Sequence, residues 1–386
     1  MIVQESESLG SEINEPVGSE REGSFRSVVA ICLALLVAFA SSVTLLYLWK
    51  EEGLVIQRPA SALIVWEMEY KELAGMGDPS VSDLDGNGVV LCIVDSGIDL
   101  EHPDLEDLKL KGWRDSVNGF DQPYDDEGHG TAMAGIAVAD GGLNGISRGV
   151  DLLIAKAIDR EGVGSSSTVS DSVDWCVDQG ADIISLSLGG GQIFGSGIFT
   201  TDQLEQSVEA ALDSGVFVIA SAGNDGEDDD GDVGSPGSVE DVICVGGITR
   251  SGEIWSGSSE GDNDGRIWPN PILPRSDPDK KPEIVAPGHE VPILMASGVG
   301  NNGWWGWSSG TSAAAAWVSG SLALLLQENP ELQRENSSGR QSIEAVKEGI
   351  SQSSKMRDGQ QSHDDKYGYG HLSIDLLVSY FSGDES

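Results

Sequence analysis

Val89–Gly97, VVLCIVDSG, is an apolar run of six residues that ends on a carboxylate and two small turn residues. It shows no polar/apolar alternation and is too short for an average helix, so it reads as a strand buried on both faces. Four further runs share this character: Leu152–Ala157, Ile183–Leu188, Val216–Ser221 and Val242–Val245. Helical stretches are predicted at Gly130–Ala139, Ser167–Gln179, Thr201–Ser214 and Ser312–Gln327. Strand alternating with helix predicts a three-layer α/β fold, a mostly parallel sheet covered by helices on both faces.

Composition narrows the function. The chain has 386 residues, with 22 basic and 64 acidic side chains and a net charge of −42. Nucleic-acid binding needs a basic face to displace phosphate counterions, so it is excluded as a partner class. A hydrophobic content of 39% is enough to bury a core. The cysteines Cys92, Cys176 and Cys244 each have apolar neighbours and read as buried small hydrophobes.

The N-terminus carries a different signal. Residues 1–26 form an acidic polar tail, and Ser27–Trp49 then runs 23 residues without a charge. As a helix this is roughly 35 Å long, enough to cross a hydrocarbon core of about 30 Å. Ala38-Phe39-Ala40 has the small-x-small form of a signal-peptide cleavage site, but the apolar run continues nine residues beyond it. An uncleaved single-pass membrane anchor over 27–49 is therefore expected, followed by a linker at 50–64 and one domain over 65–386. Arg21 and Arg26 balance Lys50 and Arg58, so charge sets no orientation.

Three polar residues stand where chemistry would need them. Asp95 ends the first strand, His129 stands in DEGHGTAMAG before a small-residue helix, and Ser312 opens another in SSGTSAAAAWVSG. A serine hydroxyl is a weak nucleophile until an imidazole takes its proton. The imidazole in turn needs a carboxylate on its far nitrogen to fix the tautomer and stabilise the cation. The helix after Ser312 points its positive end at the site, favouring developing negative charge.

At these residues the chain resembles the subtilisin-like serine proteases, the subtilases. The matching segments are VDSGID, GHGTAMAG, SLSLGG at 185–190, SAGN ending at Asn224, KPEIVAPG at 281–288 and GTSA, in the order Asp, His, Ser. The resemblance runs from about Trp66 to Leu377. It implies Ser312 as nucleophile, His129 as general base and then acid, Asp95 as orienting carboxylate, and Asn224 as side-chain donor to the oxyanion beside the Ser312 N–H. It also implies Ser187, Leu188 and Gly189 as one wall of the S1 pocket, Gly162 and Gly164 as the strand edge that pairs with substrate, and Gly234 as the S1 floor. The implied substrates are proteins or peptides, cut by a domain facing outward from the membrane. An inactive scaffold used for binding is the alternative class.

The departures are specific. Ala316 and Trp317 replace the Pro and His usual after the nucleophile. Only Lys50 to about Ile64 separates the anchor from the family-like residues, so folding without a propeptide is expected. The chemistry needs no cofactor. Asp83–Gly88 starts like a calcium loop, but its twelfth position is Val94, and a turn before the strand is the plainer reading. Asp104 stands where many subtilases bind calcium, which leaves a structural calcium ion open there, although Gly142 replaces a common Asn ligand. Finally, the acidic loop Asp225–Asp232 suggests attraction of basic side chains near a large P1 residue.

Overall fold

A computed structural model of the chain describes residues 19–51, 58–188, 203–226, 233–261, 275–300, 303–336 and 339–383. It divides into two units, residues 1–57 and residues 58–386.

The first unit contains helix α1, Ser19–Glu51. Its stretch Phe25–Thr44 is long and apolar enough to cross a membrane, and none of it is buried against protein. A stretch that is apolar all round suits a lipid solvent. Ser42 and Thr44 return their hydroxyl protons to the carbonyls of Ala38 and Ala40, at 2.8 and 2.9 Å. Their polar groups are thus satisfied within the helix, as an apolar medium requires.

The second unit is built on seven strands: β1 (Val90–Asp95), β2 (Gly112–Asp115), β3 (Asp151–Lys156), β4 (Ile183–Leu186), β5 (Phe217–Ser221), β6 (Ile243–Ile248) and β7 (Ile284–Pro287). They form one sheet in the order β2-β3-β1-β4-β5-β6-β7, and every pairing is parallel. Strands β1, β4, β5, β6 and β7 are buried along their whole length, the environment that unbroken apolar runs predict for β1, β4, β5 and the start of β6. A separate antiparallel hairpin joins β8 (Val291–Leu294) to β9 (Trp305–Ser308).

Helix α2 (Ser61–Leu73) precedes the sheet, so regular structure begins inside the stretch read as linker. Helices α3 (His129–Val138), α4 (Ser166–Asp178) and α5 (Gln203–Asp213) are crossovers. Helix α6 (Thr311–Glu328) lies across β4 to β7 and packs on α3, while α4 and α5 pack on each other. These are the two helical layers. Helices α7 (Gln341–Ser353) and α8 (Ile374–Ser382) close the unit and pack on each other.

One expectation is corrected. Cys92 and Cys176 are not simple buried hydrophobes: they form a disulfide that joins β1 to α4. The two are 84 residues apart in sequence, and only the packing of α4 on β1 brings them together. Cys244 is buried and free, and burial pushes its thiol up to about 12, which leaves it unreactive.

Strand order decides where a site can form. From β1 the chain builds β2 and β3 on one side, then returns to add β4 to β7 on the other. The crevice at the carboxyl end of β1 is the switch point where open α/β sheets take ligands, and Asp95 is the last residue of β1.

Candidate active site

Asp95 is fully buried, and the Ser96 N–H donates to its Oδ1. His129 is the first residue of α3, and its Nδ1–H donates to Asp95 Oδ1 at 2.8 Å and Oδ2 at 3.0 Å. Gly128, just before it, has a φ of 105°, a left-handed turn that a side chain would strain. The N-terminus of α3 approaches the loop after β1 so closely that a Cβ at Gly130 would collide with the Gly97 backbone. Two glycines thus make His129 and Asp95 neighbours.

Asp125 completes this anchorage. Its Oδ1 accepts the N–H groups of Glu127 and Gly128 and the Ser96 hydroxyl, and its Oδ2 accepts the Thr131 N–H and hydroxyl. It caps α3 from outside the helix. Burial pulls the His129 pKa down, but the charge and hydrogen bond of Asp95, then the charges of Glu127 and Asp125, outweigh it and raise the group to about 9.

Ser312 lies in the first turn of α6 and is buried. Its hydroxyl donates to the Ser187 carbonyl at 3.0 Å and makes no hydrogen bond to His129 among the described residues. Nucleophile–base bonds are often unformed before substrate binds. The Asn224 side chain is oriented by its carbonyl: Oδ1 accepts the Thr311 N–H at 2.9 Å and the Thr311 hydroxyl at 3.0 Å. These bonds hold the amide by Oδ1 and do not use Nδ2.

The wall residues divide. Ser187 and Leu188 follow β4 and are buried; Gly189 lies outside the described residues, as do 227–232 of the acidic loop. Gly234 is exposed, with nothing within 4 Å of where a Cβ would stand. Gly162 is exposed, whereas Gly164 packs inward against Ile158 and Val169.

Asp104 is elsewhere, and its carboxylate accepts N–H donors. Its Oδ1 accepts the Gly142 N–H at 2.7 Å, and its Oδ2 accepts the Leu143 N–H at 2.9 Å and the Trp305 indole N–H at 2.6 Å. Gly142, in place of the common Asn ligand, contributes its N–H. Among the described residues, no three His, Cys, Asp or Glu side chains cluster to hold a metal ion.

Sequence reading missed Glu127, Thr311 and Lys156. The signals were a third consecutive acid ahead of His129, a hydroxyl before Ser312, and a lysine ending the apolar run LLIAK.

The sheet order and helical layers define the subtilisin-like class. A solved structure described as a cold adapted subtilisin-like serine proteinase aligns with a TM-score of 0.57 at 24% identity, over 76% of this chain and 90% of that one, a likeness of fold. The chain belongs to the subtilase family, whose profile (Peptidase_S8, "Subtilase family") matches residues 86–370. It is 34% identical over 272 residues to the Serine protease AprX of Bacillus subtilis (strain 168), covering 64% of this chain and 59% of that protein. It is 33% identical over 269 residues to the Thermophilic serine proteinase of Bacillus sp. (strain AK1), covering 69% and 58%. The chain thus spans about three fifths of the length of the curated relatives it matches.

Proposed function

We propose that the protein is a membrane-anchored serine endopeptidase, with Ser312 as nucleophile, His129 as base and acid, Asp95 as orienting carboxylate and Asn224 as oxyanion donor. The observation that carries this reading is the buried Asp95 carboxylate bonded to His129 Nδ1, which leaves Nε2 free for a serine proton. Ser312 Oγ turns from the Ser187 carbonyl and attacks the substrate carbonyl carbon while His129 Nε2 takes its proton. The oxyanion accepts from Asn224 Nδ2 and from the Ser312 N–H. The tetrahedral adduct collapses to an acyl-enzyme as His129 protonates the departing amine. Water then repeats the sequence, with His129 again as base, and frees the acid product. The space at Gly234 supports a large P1 side chain.

The anchor is α1, and the domain is proposed to face out of the cell with residues 1–26 in the cytoplasm. The Cys92–Cys176 disulfide supports that orientation, because such bonds persist in oxidising compartments.

A fluorophosphonate probe tests the catalytic reading, since it labels only an activated serine. Labelling of the wild type that disappears in Ser312→Ala and His129→Ala is expected; an unlabelled wild type favours the inactive scaffold. Protease shaving of intact cells is expected to remove the domain and spare the tail, and the reverse pattern rejects the orientation.

A further inference from the structure

Lys156 ends β3, level with Asp95 at the end of β1 and Asp115 at the end of β2. The residues around it, Leu152–Ala155 and Ala157, are apolar and buried. Lys156 is as buried as they are, with 0% of its surface exposed, yet it carries an ammonium. Taking a charge out of water is costly, and an apolar side chain would fill this place in the sheet without that cost.

An ammonium has three protons to place, and here each has a partner from a different segment. They go to the Ser96 carbonyl at 2.6 Å, Asp126 Oδ1 at 2.7 Å and the Ile158 carbonyl at 2.9 Å, with the Tyr124 ring lying 4.9 Å away. Ser96 follows Asp95, gives its N–H to Asp95 Oδ1 and accepts the Gly130 N–H on its hydroxyl. Asp126 stands three residues before His129. The Ile158 N–H donates to the Asp95 carbonyl at 3.2 Å, and the chain then enters a turn closed by the Asp159 N–H on the Val163 carbonyl at 3.0 Å, which contains Gly162. One buried ammonium thus joins the end of β1, the lead into α3 and the start of the turn at 159–163.

The charged groups on the elements packed about His129 are Asp95 from β1, Asp99 from the loop after it, and Asp125, Asp126 and Glu127 from the lead into α3, with Lys156 set among them. The Asp99 carboxylate is engaged by the N–H groups of Glu101 and Ser297. Asp104 lies at the far end of α3, bonded to Gly142 and Leu143. Strand β8, residues 295–300 and the first turn of α6 add no charged side chain. We propose that Lys156 is a positioning residue: its ammonium holds the segments that carry Asp95 and His129 in the register at which the two side chains meet. This inference rests on the protease reading above and adds a residue that touches neither substrate nor the reacting atoms.

The test uses the full-length chain in detergent, with reactive serines titrated to completion by a fluorophosphonate. The pH-independent kcat per titrated site is taken from a full pH profile. Lys156→Met keeps length and burial but removes the charge and all three donors. Its kcat should fall about 10²-fold, the scale of a small misplacement of reacting groups, while KM stays within about threefold. Asp126→Ala unhooks only the lead into α3 and should lower kcat about tenfold. Asp126→Asn loses the same charge but keeps an oxygen for the ammonium, so kcat should recover to within about threefold of the wild type. Both Asp126 variants remove a negative charge near the imidazole, which favours its neutral form. Both should therefore move the acid limb to lower pH by the same amount while differing in kcat. Lys111→Met, which frees Asp151 at the opposite end of β3, should leave kcat and limb as they are.

A lysine with a structural role alone would lower Tm and the number of titrated sites, and would leave kcat per site unchanged; that result overturns the inference. So does an Asp126→Asn variant as slow as Asp126→Ala, which would assign the effect to charge instead of position. Where Lys156→Met yields no titratable protein, the two Asp126 variants decide by the same criteria. A wild type that neither cleaves nor takes the fluorophosphonate overturns the protease reading and the inference with it; an active wild type whose kcat all these variants share overturns the inference alone.

Discussion

Ser312 and Ser187 hold each other by reciprocal hydrogen bonds: Ser312 Oγ donates to the Ser187 carbonyl at 3.0 Å, and Ser187 Oγ donates to the Ser312 carbonyl at 3.2 Å. The first turn of α6 is thereby tied to the residue after β4. Ser312→Ala removes one of the two bonds. Cleavage should fall by about 10⁵-fold or more, while stability falls by only about 1 kcal/mol. Single-turnover kinetics and thermal melts on the same preparation check both, and near-wild-type turnover would reject Ser312 as nucleophile.

The raised pKa of His129 makes activity and stability move in opposite directions. The base must be neutral to accept a proton, so kcat/KM should rise as pH climbs to about 9 and then level. A group whose folded pKa lies above its unfolded value of 6.5 adds stability that is complete below 6.5 and is lost as pH passes through 9. Between those limits the wild type should lose Tm relative to His129→Gln while gaining activity. An acid limb centred near 6.5 would contradict this.

Asp104 secures the loop at 140–143 with N–H donors, so its role should not depend on calcium. Asp104→Asn keeps one acceptor oxygen but turns an amide toward a backbone N–H. A loss of about 2 kcal/mol is expected. The difference in Tm between wild type and variant should be the same with calcium as with a chelator. A difference present only with calcium would assign Asp104 to a metal site after all.

Glu283 is fully buried and carries two lysines, Lys281 at 2.7 Å and Lys347 at 3.0 Å, while its second oxygen accepts the Cys244 N–H. Burial pulls Lys281 down to about 8 even beside that carboxylate. Glu283→Gln leaves the buried ammonium groups with less compensation and should cost about 3–5 kcal/mol. Changing Lys281, Glu283 and Lys347 together to apolar residues of like volume should recover most of it. Denaturant melts decide, and a single-variant loss below about 1 kcal/mol would show that the cluster is better solvated than its burial indicates.

A net charge of −42 repels itself across the surface. Tm and activity should both rise as NaCl goes from about 0.05 M to about 1 M, because the Debye length falls from over 10 Å to about 3 Å. A flat or falling Tm would reject self-repulsion as a destabilising force here.

The sheet was legible in the sequence because strands buried on both faces must be apolar throughout. The runs at 89–94, 152–157, 183–188, 216–221 and 242–245 coincide within a residue or so with β1, β3, β4, β5 and the start of β6. Edge strand β2, GWRD, is partly exposed and carries charge, so no such run marks it. The hairpin of β8 and β9 was hidden because Pro292 and Gly306 interrupt any pattern. Helix α2 was hidden because four of its 13 residues are charged and few of the rest are buried.

By itself, the sequence determined the α/β class, the apolar span of α1, and which polar residues end a strand or open a helix. These follow from local rules: the period of apolar residues, the length of a charge-free run, and glycine where the backbone must turn. Tertiary structure alone decided which groups meet. Asp104 and Trp305, about 200 residues apart, share a hydrogen bond; Cys92 and Cys176 share a disulfide; Glu127 rather than Asp125 or Asp126 keeps a free oxygen toward Gly162. A carboxylate's role depends on how many donors reach it, and donors arrive from strands and loops whose order in the sheet no local pattern encodes.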